Sequence, residues 1–183
     1  MKVVKVGGSL EKSGDLSGWL QRFQQRASGR WIIVPGGGVF ADQVREAQQR
    51  WQFDERTAHA MAVLAMAQSA WLIQALLPEA ALFSDFDQLN GLTQAHLIWQ
   101  PELDSVLNAP ELPASWHLTS DSLAAWLTAH LDAEQLVMLK LAEHDPWQNL
   151  TELSNAGVLD PLFPELCQRY HLNVILRHPA NWP

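Results

Sequence analysis

The sequence predicts an α/β fold, a three-layer αβα sandwich around a mostly parallel central sheet. Two observations support this prediction. Apolar strand-like runs alternate with helical stretches along the 183 residues, and glycine-rich loops follow two of those runs. Alternation of this kind places parallel strands in one sheet with helices on both of its faces. The length predicts a single domain, residues 1–183, that buries a core without disulfides.

Each predicted element rests on its own pattern of residues. Strands are predicted where apolar and β-branched residues cluster, at 2–6, 30–34, 80–83, 95–99, 115–118, 135–141 and 172–177. Helices are predicted where apolar residues recur at helical spacing, at 16–27, 39–50, 54–77, 120–131 and 162–170. The stretch 101–113 has proline at both ends, so we expect a loop with at most a short helical turn.

Composition excludes several classes of protein. The formal net charge is −8 and no stretch is rich in lysine or arginine, so a nucleic-acid partner is not expected. The one cysteine, Cys167, fits a reducing compartment, and we expect a buried, inert thiol. The apolar stretch at the start of the chain is too short for a signal peptide, and no later run has the ~18 apolar residues that a membrane span needs. The sequence predicts a cytoplasmic protein with no membrane partner.

A first glycine cluster, Gly7-Gly8-Ser9, follows strand 2–6 and its last lysine, Lys5. Glycine lets backbone amides approach an anion without an intervening Cβ, and anions bind at the carboxyl ends of parallel strands. Lys5 adds a charge that suits a phosphoryl group in transfer. Ser9 could cap the next turn or donate its hydroxyl to a phosphate. One such cluster is also an ordinary strand-to-helix turn, but two at corresponding strand ends favour two phosphate-bearing ligands.

The second cluster, Gly36, Gly37 and Gly38, follows strand 30–34. Its first and third glycines, together with Ala41, also fit the dinucleotide fingerprint G-x-G-x-x-G/A. That fingerprint requires an acidic residue at the end of a second strand roughly 20 residues later. The acidic pair Asp54-Glu55 near that spacing opens a helical pattern instead, so nicotinamide binding is not favoured. The Walker sequence G-x-x-x-x-G-K-[ST] does not occur in the chain.

A third polar segment, Thr119-Ser120-Asp121, comes after the predicted strand 115–118 and opens a helix. Thr119 or Ser120 is a suitable N-cap, and an acidic residue in the first turn favours the helix dipole. Capping alone would explain all three residues. The functional alternative is that Asp121 orients a lysine ammonium or holds Mg²⁺ through water.

These pieces, in this order, resemble the amino acid kinase family, which contains acetylglutamate kinase, aspartokinase, uridylate kinase and isopentenyl phosphate kinase. The resemblance is carried by four segments, Lys5–Ser9, Val34–Gly38, Ser120–Ala124 and Leu136–Lys140. It implies an enzyme that transfers the γ-phosphoryl group of ATP, with Mg²⁺, to a small phosphate or carboxylate acceptor. It also implies an N-terminal part that binds the acceptor and a C-terminal part that binds the nucleotide.

The resemblance further implies roles for individual residues. Lys5 and Asp121 would be catalytic, with the lysine stabilising the charge of the transferring group and the aspartate organising that lysine. The nucleotide phosphates would be bound by Gly7, Gly8, Ser9 and Lys140. The acceptor would be cradled by Gly36, Gly37 and Gly38, and no dedicated metal ligand is assigned.

The chain departs from the family after its nucleotide-side strand. Many members have a Thr-Asp pair, a glycine turn and later a second lysine, whereas this chain has the segments 140–147 and 155–161. Lys140 is a candidate for the missing charge. A catalytically inactive nucleotide-binding subunit or sensor of the same fold is therefore the alternative function.

Within the family, the segments 58–62, 66–68 and 157–160 are similar to a small group of kinases acting on aminomethylfuran phosphate. That group belongs to methanofuran-type cofactor synthesis and one-carbon metabolism, and its acceptor is a phosphate monoester. The similarity makes His59 a candidate acceptor contact, although a packed or surface histidine is the alternative. The long apolar helix and the nine tryptophans make a homodimer or higher homo-oligomer plausible.

Overall fold

The computed structural model describes residues 1–142 and 148–182. In this part of the chain six strands form one sheet: β1 (Lys2–Val6), β2 (Trp31–Pro35), β3 (Ala81–Phe83), β4 (His96–Trp99), β5 (Gln135–Leu139) and β6 (Val174–Arg177). Their order across the sheet is β3-β4-β2-β1-β5-β6, and every neighbouring pair is parallel. The predicted α/β class with a central parallel sheet is confirmed.

Helices connect the strands: α1 (Gly8–Lys12), α2 (Leu16–Arg26), α3 (Gly38–Trp51), α4 (Glu55–Leu76), α5 (Leu103–Leu107), α6 (Ser120–His130), α7 (Leu150–Asn155) and α8 (Phe163–Arg169). Short 3₁₀ turns occur at Phe86–Asn90 and Pro179–Asn181. The five predicted helices agree with α2, α3, α4, α6 and α8 within one residue at each end. The stretch predicted as a loop, 101–113, contains only the short helix α5.

Alternating residues of the strands pack into two separate cores. On β1, Val3 belongs to one apolar cluster and Val4 to the other, and on β5 Met138 and Val137 divide in the same way. Helices α6 and α8 cover the first cluster, while α2 covers the second with Trp19, Leu20 and Phe23. Since side chains of a strand point to opposite faces in turn, this division produces the three layers.

One predicted strand is wrong. Residues 115–118 form turns, because their polar groups bond to helices rather than to a neighbouring strand. The backbone N–H of Trp116 donates to the Glu55 carboxylate at 3.2 Å, and its indole N–H donates to the Gln48 side chain at 2.6 Å. The segment before α6 is therefore held against α3 and α4 and does not extend the sheet.

Helix α4 is, within the described residues, the one helix long and apolar enough by composition to cross a membrane. Its apolar residues have another explanation, because α4 packs against α3 and β2. Val63 and Met66 join the first core cluster, and Ala70 and Ile73 join the second. A helix that packs into two hydrophobic clusters needs apolar residues on more than one side, which explains the composition of α4.

Candidate active site

A carboxylate and two ammonium groups meet at the carboxyl edge of the sheet. Lys5 lies near the end of β1, Lys140 directly follows β5, and Asp121 is in the first turn of α6. Lys5 Nζ is 2.6 Å from Asp121 Oδ1, and Lys140 Nζ donates to Asp121 Oδ2 at 2.6 Å. Asp121 is only 4% exposed and Lys5 is also buried. Each carboxylate oxygen of Asp121 is therefore occupied by one lysine.

Strand register explains why these lysines converge. Val3 and Met138 point into the core under α6, so Lys5, two residues after Val3, emerges on that same face. Lys5 pairs with Met138 in the parallel register of β1 and β5. Lys140, two residues beyond Met138, therefore emerges on the same face at the edge of the sheet, where α6 begins.

The ionic state of the centre follows from burial and mutual attraction. Burial alone would raise the pKa of Asp121, but the charges of Lys5 and Lys140 outweigh it and hold the pKa below its ordinary value. Burial and the charge of Lys5 lower the pKa of Lys140, while Asp121 and Asp160 oppose that shift. With Asp121 ionised and each of its oxygens on an ammonium, the geometry favours lysine orientation over metal binding by this carboxylate.

The two glycine loops touch each other backbone to backbone. A Cβ built on Gly8 would lie 2.7 Å from the Cα of Gly38, closer than real Cβ contacts come. Gly38 has a φ of +54°, the left-handed region that favours glycine, and it begins α3. A Cβ on Gly7 would be 3.3 Å from Lys5 Nζ, which shows how close the first loop lies to that ammonium.

We predict that Gly8→Ala damages both the fold and the site. The added methyl group meets backbone atoms of Gly38 that cannot rotate away, so the loops must separate. Overpacking of this kind costs roughly 1–3 kcal/mol, measurable as a lower free energy of unfolding in urea. Gly91→Ala is the matched control, because its nearest atom, Gln88 O, would be at 3.7 Å. Equal stability of the two variants would contradict the close approach.

Two cavities open on either side of these loops. The first, of about 240 Å³, is lined mainly by α1, α3 and α4 and includes Gly37, Gly38 and His59. The second, of about 440 Å³, includes the lysine-aspartate centre and extends to the 157–161 segment. Gly8 and Ser9 line both cavities. A ligand in one cavity would thus meet a ligand in the other across the first glycine loop.

Gly36 differs from its two neighbours. Its amide donates to the Val6 carbonyl at 2.7 Å, and a Cβ on it would be 2.9 Å from the Gly8 nitrogen. It lies against the first loop and lines neither of the two cavities beside these loops. Its position fits support of the loop rather than contact with an acceptor.

Charged residues that sequence reasoning did not assign line the first cavity. Lys12 and Asp42 form an ion pair there, and the Arg45 guanidinium lies 3.9 Å from Asp42. The same guanidinium stacks on Trp116, 4.2 Å from its ring. Asp42 and Arg45 are three residues apart on α3, a spacing that places both on one face of the helix. Only the fold shows that this face lines a cavity.

His59 lies on α4 and lines the first cavity. It is buried, and among the described residues its Nε2 has no hydrogen-bond partner. Burial lowers the pKa of His59, against the opposing charge of Glu55, so the imidazole is neutral at neutral pH. A buried ring nitrogen without a partner suits a hydrogen bond to a ligand.

Two other expectations can be compared with the structure. Asp54 accepts a hydrogen bond from Thr57 N and caps α4. The acidic pair Asp54-Glu55 therefore begins a helix and does not end a strand, as the dinucleotide fingerprint would require. Cys167 is buried, and burial raises its pKa to about 12, so its thiol stays protonated. Within residues 1–142 and 148–182, no group of three or more His, Cys, Asp and Glu side chains could hold a metal ion.

A parallel sheet that carries glycine loops, two lysines and a carboxylate at its carboxyl edge has the groups that a phosphotransferase requires. The family model described as "Amino acid kinase family" matches residues 1–144. The chain belongs to the amino acid kinase family.

Individual relatives agree with that membership. The chain is 26% identical to [5-(aminomethyl)furan-3-yl]methyl phosphate kinase of Methanocaldococcus jannaschii, over 99% of this chain and 90% of the relative. The solved uridylate kinase of Archaeoglobus fulgidus matches with a TM-score of 0.71 at 19% identity, covering 99% of this chain and 93% of that one. An isopentenyl phosphate kinase structure matches with a TM-score of 0.63 at 15% identity, covering 98% and 92%. These two structures support the fold.

Proposed function

We propose that this protein transfers the γ-phosphoryl group of ATP to a small phosphate monoester of the aminomethylfuran phosphate type. The observation that carries the proposal is Asp121 held between Lys5 and Lys140 beside two touching glycine loops. Phosphoryl transfer requires positioned reactants and neutralised charge more than a covalent nucleophile. The centre supplies two fixed cations for that purpose.

The two cavities suggest how the reactants are divided. In our proposal the second cavity holds the ATP phosphates, against Gly7, Gly8, Ser9 and Lys140. The first cavity holds the acceptor, against Gly37, Gly38 and His59, with Arg45 and Lys12 adding positive charge. The first cavity is lined mainly by the N-terminal part of the chain and the second mainly by the C-terminal part. This division within one domain, 1–183, is part of the proposal.

The transfer needs no general base. An acceptor phosphate oxygen is already ionised at neutral pH and attacks the γ-phosphorus directly. One P–O bond forms to the acceptor while the bond to the β,γ-bridging oxygen breaks, which yields ADP and a diphosphate product. Lys5 and Lys140 would face the oxygens of the migrating group, where negative charge must be stabilised.

Mg²⁺ would enter this site with the ATP phosphates, because the two described carboxylates beside them are already engaged. Asp121 is committed to two lysines, and Asp160 accepts hydrogen bonds from neutral donors. When bound, the ion would neutralise phosphate charge. The residues described here orient the phosphates around it and supply the remaining cations.

The alternative, an inactive nucleotide-binding subunit, is not favoured. The absence of the family's second lysine suggested that alternative. Lys140, however, occupies a position that could supply the missing positive charge. The relatives are themselves named kinases. We also propose a cytoplasmic location, as the sequence predicts.

ADP release tests the proposal. The purified protein is assayed with ATP, Mg²⁺ and each of four acceptors: [5-(aminomethyl)furan-3-yl]methyl phosphate, UMP, isopentenyl phosphate and acetylglutamate. We expect the furan phosphate to give the highest kcat/KM, with a diphosphate product identified by mass spectrometry. ATP binding without a phosphorylated product from any acceptor would contradict the proposal and support the inactive subunit.

A homodimer through α3 and α4 remains a prediction. In the described residues the large exposed apolar side chains all lie on these two helices, and Trp51 and Trp71 are 70% and 60% exposed. Several exposed apolar side chains on two neighbouring helices make these helices the candidate interface. We expect Trp71→Glu to halve the mass in sedimentation equilibrium, whereas Glu79→Lys, an exposed charge change just beyond α4, leaves it unchanged. A wild-type monomer would contradict the prediction.

A further inference from the structure

Asp160 is a buried carboxylate that has no assigned part in the proposed transfer reaction. It is 7% exposed and lies just before α8, on the wall of the second cavity. Its Oδ2 accepts from Thr119 N at 2.9 Å, Thr119 Oγ1 at 2.8 Å and Ser122 N at 3.0 Å. Its Oδ1 accepts from Ser122 Oγ at 2.5 Å and Phe163 N at 2.9 Å. Five donors therefore converge on one side chain.

Four of these donors lie on the two sides of Asp121. Thr119 precedes it and Ser122 follows it, so Asp160 fixes the first turn of α6 at the residues that flank the site carboxylate. The N-cap bond within α6 itself is long, since Thr119 Oγ1 is 3.4 Å from Asp121 N. The position of the turn is thus set from outside the helix, by the segment that leads into α8.

Only a carboxylate can satisfy this set of donors. Three of the five are backbone N–H groups, which cannot become acceptors. In an asparagine at this position, an NH₂ group in place of Oδ1 would face the N–H of Phe163. An NH₂ group in place of Oδ2 would face the N–H groups of Thr119 and Ser122. Either orientation leaves at least one buried N–H without an acceptor, which destabilises the first turn of α6.

We infer that Asp160 is a positioning residue for the phosphoryl-transfer site: it anchors the start of α6 so that Asp121 holds both lysines. The inference rests on the proposed function. A second observation agrees with it, because the charge of Asp160 also supports the protonated form of Lys140. Asp160 lines the second cavity and not the first, and the Thr119 that it holds lines both, so its main effect would be on the transfer step.

Asp160→Asn tests the inference, with Thr128→Val as the matched control. Thr128 is buried in the same helix, and its hydroxyl donates to the Ala124 carbonyl, so Thr128→Val removes a buried hydrogen bond of α6 without touching the site. We expect Asp160→Asn to lower kcat about 10²-fold with the acceptor KM nearly unchanged. A small displacement of the groups that face the reacting atoms has an effect of that size. Thr128→Val should keep the wild-type kcat.

A second readout does not depend on turnover. The chain has four lysines, so ¹³C-lysine labelling gives four Cε resonances, and Lys→Arg variants at positions 2 and 12 assign the two outside the centre. We expect the Lys140 resonance to titrate at lower pH in Asp160→Asn than in the wild type, and to be unchanged in Thr128→Val. Should Asp160→Asn not fold, Ser122→Ala removes the 2.5 Å bond and should move the titration in the same direction.

The outcomes separate the two claims. Wild-type kcat and wild-type lysine titration in Asp160→Asn would overturn the inference and leave the proposed function intact. A wild-type protein that phosphorylates no acceptor would overturn the proposed function. The lysine titration of Ser122→Ala, which keeps the Asp160 charge and removes only an anchoring bond, would then decide the inference.

Discussion

Lys5→Ala lowers turnover by about 10²–10³-fold, the expected effect of removing one preorganised charge from a transfer site. Lys5 is buried beside the first glycine loop and 2.6 Å from Asp121, so water cannot easily replace its ammonium. The chain should still fold, because Asp121 keeps Lys140 as an ion-pair partner. The measurement is ADP release with the acceptor that the wild type uses.

Lys2→Ala is the matched control for that variant. Lys2 lies on the same strand at the other end from the site, with its ammonium over the Trp31 ring at 5.4 Å. We expect its kcat to equal that of the wild type, and near-ultraviolet circular dichroism to show native packing in both variants. Turnover by Lys5→Ala within a few-fold of the control would remove Lys5 from the mechanism.

Much of the fold could be predicted because its signals are local. The strands β1 and β2 are apolar runs ended by glycine loops, and the helices α2, α3 and α4 have long stretches of helical spacing. The acidic pair Asp54-Glu55, predicted to open a helix, does so, and Asp54 is the N-cap of α4. Local chemistry of this kind does not depend on the position of distant residues.

The site could be predicted only in part, because its geometry depends on strand order. Lys5 and Lys140 are brought together by the pairing of β1 with β5, which no local pattern reveals. The alternation of buried residues on each strand does place both lysines on one face, but only once the two strands are known to be neighbours. Sequence reasoning could therefore name Lys140 as a candidate and could not give its contact with Asp121.

The error at 115–118 has the same origin. Trp116 and Leu118 alternate with polar residues as in a strand, yet the Trp116 polar groups bond to Gln48 and Glu55 on α3 and α4. Tertiary contacts of this kind override a weak local preference. They also explain why Arg45, stacked on Trp116, did not stand out as a cavity residue.

Asp121→Asn removes the group that holds the two lysines together. The variant leaves two ammonium groups near each other without the carboxylate that contacts both of them, and breaking a buried ion pair in this way costs about 3–5 kcal/mol. We expect a corresponding fall in the free energy of unfolding at neutral pH, measured in urea, and a loss of turnover comparable to that of Lys5→Ala. Asp42→Asn is the control, because its ion pair with Lys12 is partly exposed and contributes little to stability.

The pH dependence of the same variant distinguishes an ion-pair role from simple packing. The pKa of Asp121 is lower in the folded chain than its ordinary value of 3.8, so this group stabilises the fold above pH 3.8 and that contribution is lost as the pH falls through the folded-state pKa. Asparagine has no such transition. The stability difference between the wild type and Asp121→Asn should therefore be largest near neutral pH and narrow as the pH falls below 3.8. A difference that stays constant over this range would mean that Asp121 contributes through its shape alone, and the two-lysine centre would lose its electrostatic basis.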